Sequence, residues 1–269
     1  MKIVISGASG LIGTQLVEQL QQHGHEVIRL VRRAAGTGEI MWDPTSGVLS
    51  ASALEGTDAV IHLSGAGIGD KRWTTSYKRE ILESRTITTN LIATTIARMN
   101  RKPSVFLSGS AIGIYGPRGD EELNEVSTNG TSFLADVCEQ WELAAKPASD
   151  AGIRTVLLRT GIVLTTKGGA LKKQLPLFQL GLGGKFGNGK QWQSWISIED
   201  GVGAIEYLLT ANMSGAVNLT APNPVTKAEF TSTLARVVKR PAFLPIPPFA
   251  PKALLGGELA DALLFTGQR

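Results

Sequence analysis

The sequence predicts an α/β protein, a doubly wound parallel sheet followed by a small C-terminal subdomain, on three observations. Strand-like and helix-like runs alternate over roughly the first 165 residues, the order in which β-α-β units build parallel sheets. A glycine-rich turn, Gly7-Ala8-Ser9-Gly10-Leu11-Ile12-Gly13, joins the first strand-like run to the first helix-like run. Beyond that point the texture turns glycine- and proline-rich, and five of the twelve prolines fall in residues 241–251. Together these describe a Rossmann-type sheet over residues 1–165. Residues 166–269 are then a mixed region that completes the sheet and forms a substrate-side subdomain.

The elements follow in order. Residues 2–6 are a short apolar strand. Leu11, Ile12, Leu16, Val17 and Leu20 make a helical stripe over residues 11–23, and Gly24 stops it. Residues 27–31 are the second strand. Residues 40–49 read as a small hairpin around Ser46-Gly47, an insertion in the basic plan. Residues 59–63, 104–107 and 155–158 repeat the buried-strand type, and long helices are predicted over 75–99 and 132–151. Gly168-Gly169 opens a helix-like run to Leu180, and a glycine-rich stretch covers 181–189. Trp192, Trp195 and Ile196-Ser197-Ile198 follow, then helices over 199–209 and 226–239.

Composition removes several classes. With 42% hydrophobic and 19% charged residues, disorder, collagen and coiled coil are excluded. The net charge of +4 suits a small anionic ligand as well as nucleic acid, but no basic run or recognition module supports the latter. Cys138 is the single cysteine, so no disulfide forms within the chain and a reducing, cytoplasmic setting is expected. His23, His25 and His62 with that one cysteine form no metal-ligand spacing, and no metal is expected. The apolar N-terminal run is too short for a signal peptide, and no window reaches the roughly 18 apolar residues of a membrane span.

The glycine turn carries the first chemistry. Glycines between a strand and a helix allow a tight turn, close approach of backbone to a pyrophosphate and close helix–strand packing. The helix N-terminus then offers free N–H groups and partial positive charge to phosphates. A lone glycine triplet is weak, but here strand, amphipathic helix and second strand stand at the required distances. The end of the second strand reads Arg29-Leu30-Val31-Arg32-Arg33, with Arg32 lying 19 residues past Gly13 and no acid between Glu26 and Glu39. Arginine there suits a 2′-phosphate, whereas an acid would suit the ribose hydroxyl of NAD, so NADP(H) is the predicted cofactor. A solvated surface pair is the alternative for Arg32 and Arg33.

Several ordered motifs then carry a resemblance. The glycine turn, Ala-Val-Ile-His-Leu-Ser-Gly at 59–65 and Ser-Gly-Ser-Ala-Ile-Gly-Ile-Tyr-Gly at 108–116 resemble an extended short-chain dehydrogenase/reductase. More narrowly, the chain is similar to the atypical epimerase-family, or sugar-nucleotide-epimerase-like, proteins with a C-terminal domain of undefined role. The stretches are Trp73-Thr74 with Lys78, Ile81 and Ser84-Arg85; Phe133-Leu134 with Cys138 and Trp141-Glu142; Gly181-Leu182-Gly183-Gly184; and Trp195 to Asp200. The match covers essentially the whole chain. It implies that Gly7, Ser9, Gly10, Leu11, Ile12 and Gly13 hold the pyrophosphate, with Arg32 and Arg33 near the 2′-phosphate. It further implies that Leu63, Ser64 and Gly65 border the adenosine, that Ser108, Gly109 and Ser110 lie beside the nicotinamide, and that Gly161, Ile162 and Val163 face its carboxamide. A further segment is expected after Gly267-Gln268-Arg269.

Catalysis is where the pattern breaks. Short-chain dehydrogenases use Tyr-x-x-x-Lys on one helical face, the lysine lowering the tyrosine pKa from about 10. Four residues after Tyr77, Tyr115 and Tyr207 stand Ile81, Gly119 and Ala211, so the pair is absent. The nearest alignment puts Phe133 and Val137 in its places. The remaining catalytic candidates are Ser110, Tyr115, Cys138 and Glu139. Against them stand a structural tyrosine in a Tyr-Gly turn and a buried hydrophobe-like cysteine. Glu142, four residues before Lys146, reads as half of a surface ion pair. Lys78, Arg85, Trp192 and Trp195 are candidate substrate contacts, or equally helix contacts and core. The predicted function is an NADP(H)-binding oxidoreductase or epimerase-like protein with a small-molecule substrate. The alternative is a non-catalytic NADP(H)-binding redox sensor or scaffold. Neither nucleic acid nor membrane is an expected partner, and a homodimer is a candidate assembly.

Overall fold

The computed structural model describes residues 1–242 and 245–269. The first half runs β1 (Lys2–Ser6), α1 (Leu11–Gln22), β2 (Glu26–Val31), β3 (Glu39–Met41), α2 (Ala51–Leu54), β4 (Ala59–His62), α3 (Thr75–Ala97), β5 (Val105–Ala111), α4 (Phe133–Ala144), α5 (Lys146–Asp150) and β6 (Arg154–Thr160). Then come β7 (Ile162–Leu164), α6 (Gly169–Gln179), β8 (Trp192–Gln193), β9 (Trp195–Ser197), α7 (Ile198–Leu208), β10 (Gly215–Leu219), β11 (Val225–Thr226), α8 (Lys227–Val238), α9 (Phe249–Leu255) and α10 (Gly257–Ala260).

Seven strands form one sheet in the order β10-β6-β5-β4-β1-β2-β3, every pairing parallel. The apolar strand runs noted in the sequence are what such a sheet needs, since both of its faces are covered. Alternate side chains serve opposite faces. Ile3, Ile5, Ile61, Leu107 and Leu158 pack against α1 and α7, in a cluster with Leu16, Leu20, Val202 and Ile205. Val4, Val60 and Phe106 point the other way, into a cluster with Ile92 and Ile96 of α3 and Ala148 of α5. Strand order runs outward from β1 in one direction and from β4 in the other. The carboxyl ends of β1 and β4 therefore flank the switch point at which open α/β sheets form a ligand crevice.

Three elements differ from the sequence prediction. The expected hairpin over 40–49 is reduced to one antiparallel bridge, Asp43–Val48, around the turn at Ser46-Gly47, and the residues before it form an edge strand, β3, parallel to β2. Asp43 makes that turn, its carboxylate accepting from the backbone and hydroxyls of Thr45 and Ser46, while Trp42 anchors it in the core. The single helix expected over 132–151 is two, because Pro147 sits in the first turn of α5 and has no N–H for the ladder. The strand over 104–107 runs on to Ala111, bringing Ser108, Gly109 and Ser110 into regular pairing with β6. Phe243 and Leu244, within the proline-rich stretch, lie outside the described residues. No helix among the described residues is long and apolar enough to cross a membrane.

Candidate functional site

A cleft of about 1100 Å³ opens at the switch point, where the carboxyl ends of β1, β2 and β4 meet α1 and α3. That is at the upper end of the roughly 300–1,000 Å³ range of small-ligand sites. Gly7, Ser9 and Gly10 form its floor and Leu63, Ser64 and Gly65 its middle; Arg29, Arg32, Arg33 and Glu39 close the β2 end. The turn needs its glycines unequally. A Cβ on Gly7, at φ +75°, would stand 2.6 Å from the backbone of Leu63, and one on Gly13 would stand 2.2 Å from the Gly7 carbonyl oxygen. A Cβ on Gly10 meets only that oxygen, at 3.2 Å. Gly10 is also the N-cap of α1 and offers no side-chain cap, so the first N–H groups of α1 are left for a ligand. Leu11 and Ile12 do not line this cleft. Leu11 packs against Gly168, across which a Cβ would come within 2.6 Å of its Cδ1.

At the β2 end the two arginines are not equivalent. Arg33 donates from Nη1 and Nη2 to the Glu39 carboxylate, both at 2.7 Å. Arg32 is exposed, and among the described residues no acid pairs with it. The Arg33 hydrogen bond, followed by that from the Gly36 amide, holds the Glu39 carboxyl at about 2. Beneath the cleft, His62 at the end of β4 is fully buried between Ser6 Oγ, 2.5 Å from Nδ1, and Thr88 Oγ1, 3.2 Å from Nε2. Burial, and secondarily the Arg85 charge, pushes this imidazole down to about 3. It is a neutral structural link between β1, β4 and α3, a role its position in an apolar run did not reveal.

The catalytic candidates separate. Ser110 donates to Glu142 Oε1 at 2.6 Å, and Arg159 of β6 donates to the same carboxylate through Nε at 2.8 Å and Nη2 at 2.9 Å. Tyr115, 1% exposed, donates to Asn218 Oδ1 at 2.7 Å and accepts from Arg159 Nη1 at 3.0 Å. Ser110 and Tyr115 thus belong to one buried polar cluster around Arg159. Glu142 and Lys146 do not form the expected surface pair. Glu142 turns inward to Arg159, and Lys146 pairs with Asp150 instead. Cys138 is buried, which raises its thiol to about 12, so it is not a thiolate. Glu139 is exposed on the outer side of α4 and joins none of these groups.

The face of α4 also differs from the alignment made on sequence. Phe133 and Val137 point at α3, packing with Trp73, Tyr77 and Ile81. The stripe toward the end of β5 is Leu134 and Cys138, both against Gly113, followed by Trp141 against Gly109. On either register the four-residue spacing holds neither tyrosine nor lysine.

None of the four substrate candidates lines this cleft. Arg85 is half-buried, donates to the Ile81 carbonyl at 2.9 Å and lies over the Trp141 ring, 5.1 Å from its centroid. No carboxylate pairs with it among the described residues, and burial lowers its pKa. Lys78 pairs with Glu258 of α10 at 2.6 Å and stacks over Phe133, tying α3 to the C-terminal lobe. Trp192 donates to Asp120 at 2.7 Å, and Trp195 to the Asn223 carbonyl at 3.2 Å. Gly161, Ile162 and Val163 lead into the β7–β9 ladder beside Trp195, and a Cβ on Gly161 would come within 2.6 Å of the Ser194 carbonyl oxygen. Ser108 is wholly buried in β5.

A parallel sheet with its switch point over a glycine-turn cleft defines the dinucleotide-binding class of doubly wound α/β proteins. The chain belongs to the NAD dependent epimerase/dehydratase family, whose model matches residues 3–220. The epimerase family protein of Mycobacterium bovis is 43% identical over 269 residues, covering 99% of this chain and 88% of that protein. The crystal structure of the human epimerase family protein SDR39U1 (isoform 2) with NADPH is 35% identical, at a TM-score of 0.91. It covers all of this chain, which spans 90% of it. A nucleoside-diphosphate sugar epimerase from Corynebacterium glutamicum is 38% identical at a TM-score of 0.77, the chain spanning 59% of it.

Proposed function

We propose that this chain is an NADP(H)-binding member of the atypical short-chain dehydrogenase/reductase group. The observation that carries the reading is the arginine-lined β2 end of the glycine-turn cleft, with Arg32 free of any acid among the described residues. The human relative solved with NADPH supports it. Gly7, Ser9 and Gly10 with the N-terminus of α1 bind the pyrophosphate. Arg32 and Arg33 take the 2′-phosphate, and Leu63, Ser64 and Gly65 line the adenosine. NADP(H), when bound, supplies hydride chemistry. Toward the far end, Ser108 to Ser110 and Gly161 to Val163 border the reacting half, and residues 166–269 form the substrate-side lobe.

The acid–base part is nonstandard. Tyr115 and Ser110 are held by Asn218, Arg159 and Glu142, and Cys138 keeps its proton, so none is poised as the tyrosine of a Tyr-x-x-x-Lys pair is. General acid–base help is worth about 10²–10⁴-fold, and turnover of simple alcohols and ketones is slow by that factor. The same observation favours the second reading, a non-catalytic NADP(H) sensor. Isothermal titration tests the main claim. NADPH binds at least about tenfold more tightly than NADH, because charge-assisted contacts to the extra phosphate add roughly 1.5–3 kcal/mol. Replacing Arg32 and Arg33 together by alanine erases the preference. Equal affinities in the unaltered protein overturn the assignment.

A further inference from the structure

We propose that Glu39 is the positioning residue that sets this cleft's preference for a 2′-phosphorylated nucleotide, acting through Arg33; the inference rests on the NADP(H) reading above. Glu39 opens β3 directly opposite Arg29 of β2. Its carboxylate accepts from both terminal nitrogens of Arg33 and from the Gly36 amide at 2.8 Å, with only 11% of its side chain exposed. The connection it spans, Ala34-Ala35-Gly36-Thr37-Gly38, has no large apolar side chain to anchor it. One buried-side carboxylate therefore ties the start and the middle of this loop together and fixes the guanidinium of Arg33.

Two consequences follow for the ligand. An acid at this end of a dinucleotide cleft would ordinarily accept from a ribose 2′-hydroxyl. Here three N–H donors occupy three of its roughly four acceptor sites, two on Oε2 and one on Oε1, which weakens its claim on an unphosphorylated ribose. The local charge also matches. Arg29, Arg32 and Arg33 gather with Glu39 at the β2 end, while Arg79, Glu80 and Glu83 enter the same cleft from α3, so the arginine excess at the β2 end faces the roughly two negative charges of a phosphate monoester. A guanidinium already locked in place loses less entropy on meeting that phosphate. The carboxyl stays ionised throughout the neutral range.

The test is titration of NADPH and NADH into the Glu39→Gln protein, with circular dichroism confirming that it folds. Glutamine keeps the side-chain size and removes the charge. The NADPH-to-NADH affinity ratio falls by roughly five- to tenfold, in line with the loss of one preorganised charge-assisted contact. The same substitution made on top of Arg33→Met leaves the ratio of Arg33→Met unchanged, because the effect passes through Arg33. A ratio that holds or rises in Glu39→Gln overturns the proposal, as does a loss that persists without Arg33. If the unaltered protein shows no NADPH preference, the cofactor assignment itself has failed; if it does and only Glu39→Gln is silent, the role of Glu39 alone is lost.

Discussion

Gly10 and Gly13 are three residues apart in one turn, yet a side chain at each has a different consequence. A Cβ at Gly13 collides with the backbone of Gly7 at 2.2 Å, whereas at Gly10 it meets one carbonyl oxygen at 3.2 Å and otherwise open cleft. Gly10→Val therefore folds, as read by circular dichroism, and loses NADPH binding because its methyls occupy the pyrophosphate position. Gly13→Val destabilises the fold itself by about 1–3 kcal/mol or more, as read by urea unfolding, since α1 must move off β1. A folded Gly10→Val protein that keeps NADPH affinity would place the phosphates elsewhere. The glycine turn was legible in the sequence because its requirement is local: φ, spacing and helix entry all lie within seven residues. Ser110 and Tyr115 were legible as polar residues near strand ends. Their capture by Glu142, Arg159 and Asn218 was not, because those partners come from α4, β6 and β10.

At the scale of elements, α4 is held to the sheet by one ion pair of unusual depth. Arg159 and Glu142 have side chains 8% and 11% exposed. Burial opposes the arginine charge, and the hydrogen bonds that Arg159 donates to Glu142 and Tyr115 overcome that and raise its pKa. Removing one partner of such a pair leaves a buried charge alone, which costs about 3–5 kcal/mol. Glu142→Gln loses that much in urea unfolding, while Lys146→Met, in an exposed pair with Asp150, loses at most about 0.5 kcal/mol. Equal small losses in both would show that Glu142 is a surface residue after all. Helical spacing alone suggested the surface pair, since i,i+4 partners are visible in one dimension and a strand two elements further on is not. Pro147, which ends α4 and starts α5, was in plain view; the apolar periodicity running through it outweighed the missing N–H. The extended residues of β3 were read as one arm of a hairpin, and their parallel pairing with β2 went unseen because that partner lies outside the local pattern.

For the whole molecule, the doubly wound parallel sheet was legible because alternating strand and helix patterns permit few topologies, whereas the order of its seven strands, and with it the switch point, emerges only from their pairing. The site at the carboxyl ends then follows from topology. The lobe after residue 165 was not legible in that way. Its short ladders, β7 with β9 and β8 with β11, are two or three residues each and carry no periodic signal. Its joints to the sheet domain, such as Lys78 with Glu258, bridge residues 180 apart in sequence. The proposed chemistry turns on how the cofactor lies in the cleft over the glycine turn. A crystal structure of this protein grown with NADPH tests it most directly. The expected result is the pyrophosphate over Gly7 to Gly10 at the N-terminus of α1, and the 2′-phosphate within about 3 Å of the Arg32 guanidinium. A nucleotide seated with its phosphates away from the glycine turn, or with the 2′-phosphate in solvent and Arg32 and Arg33 uninvolved, would contradict it.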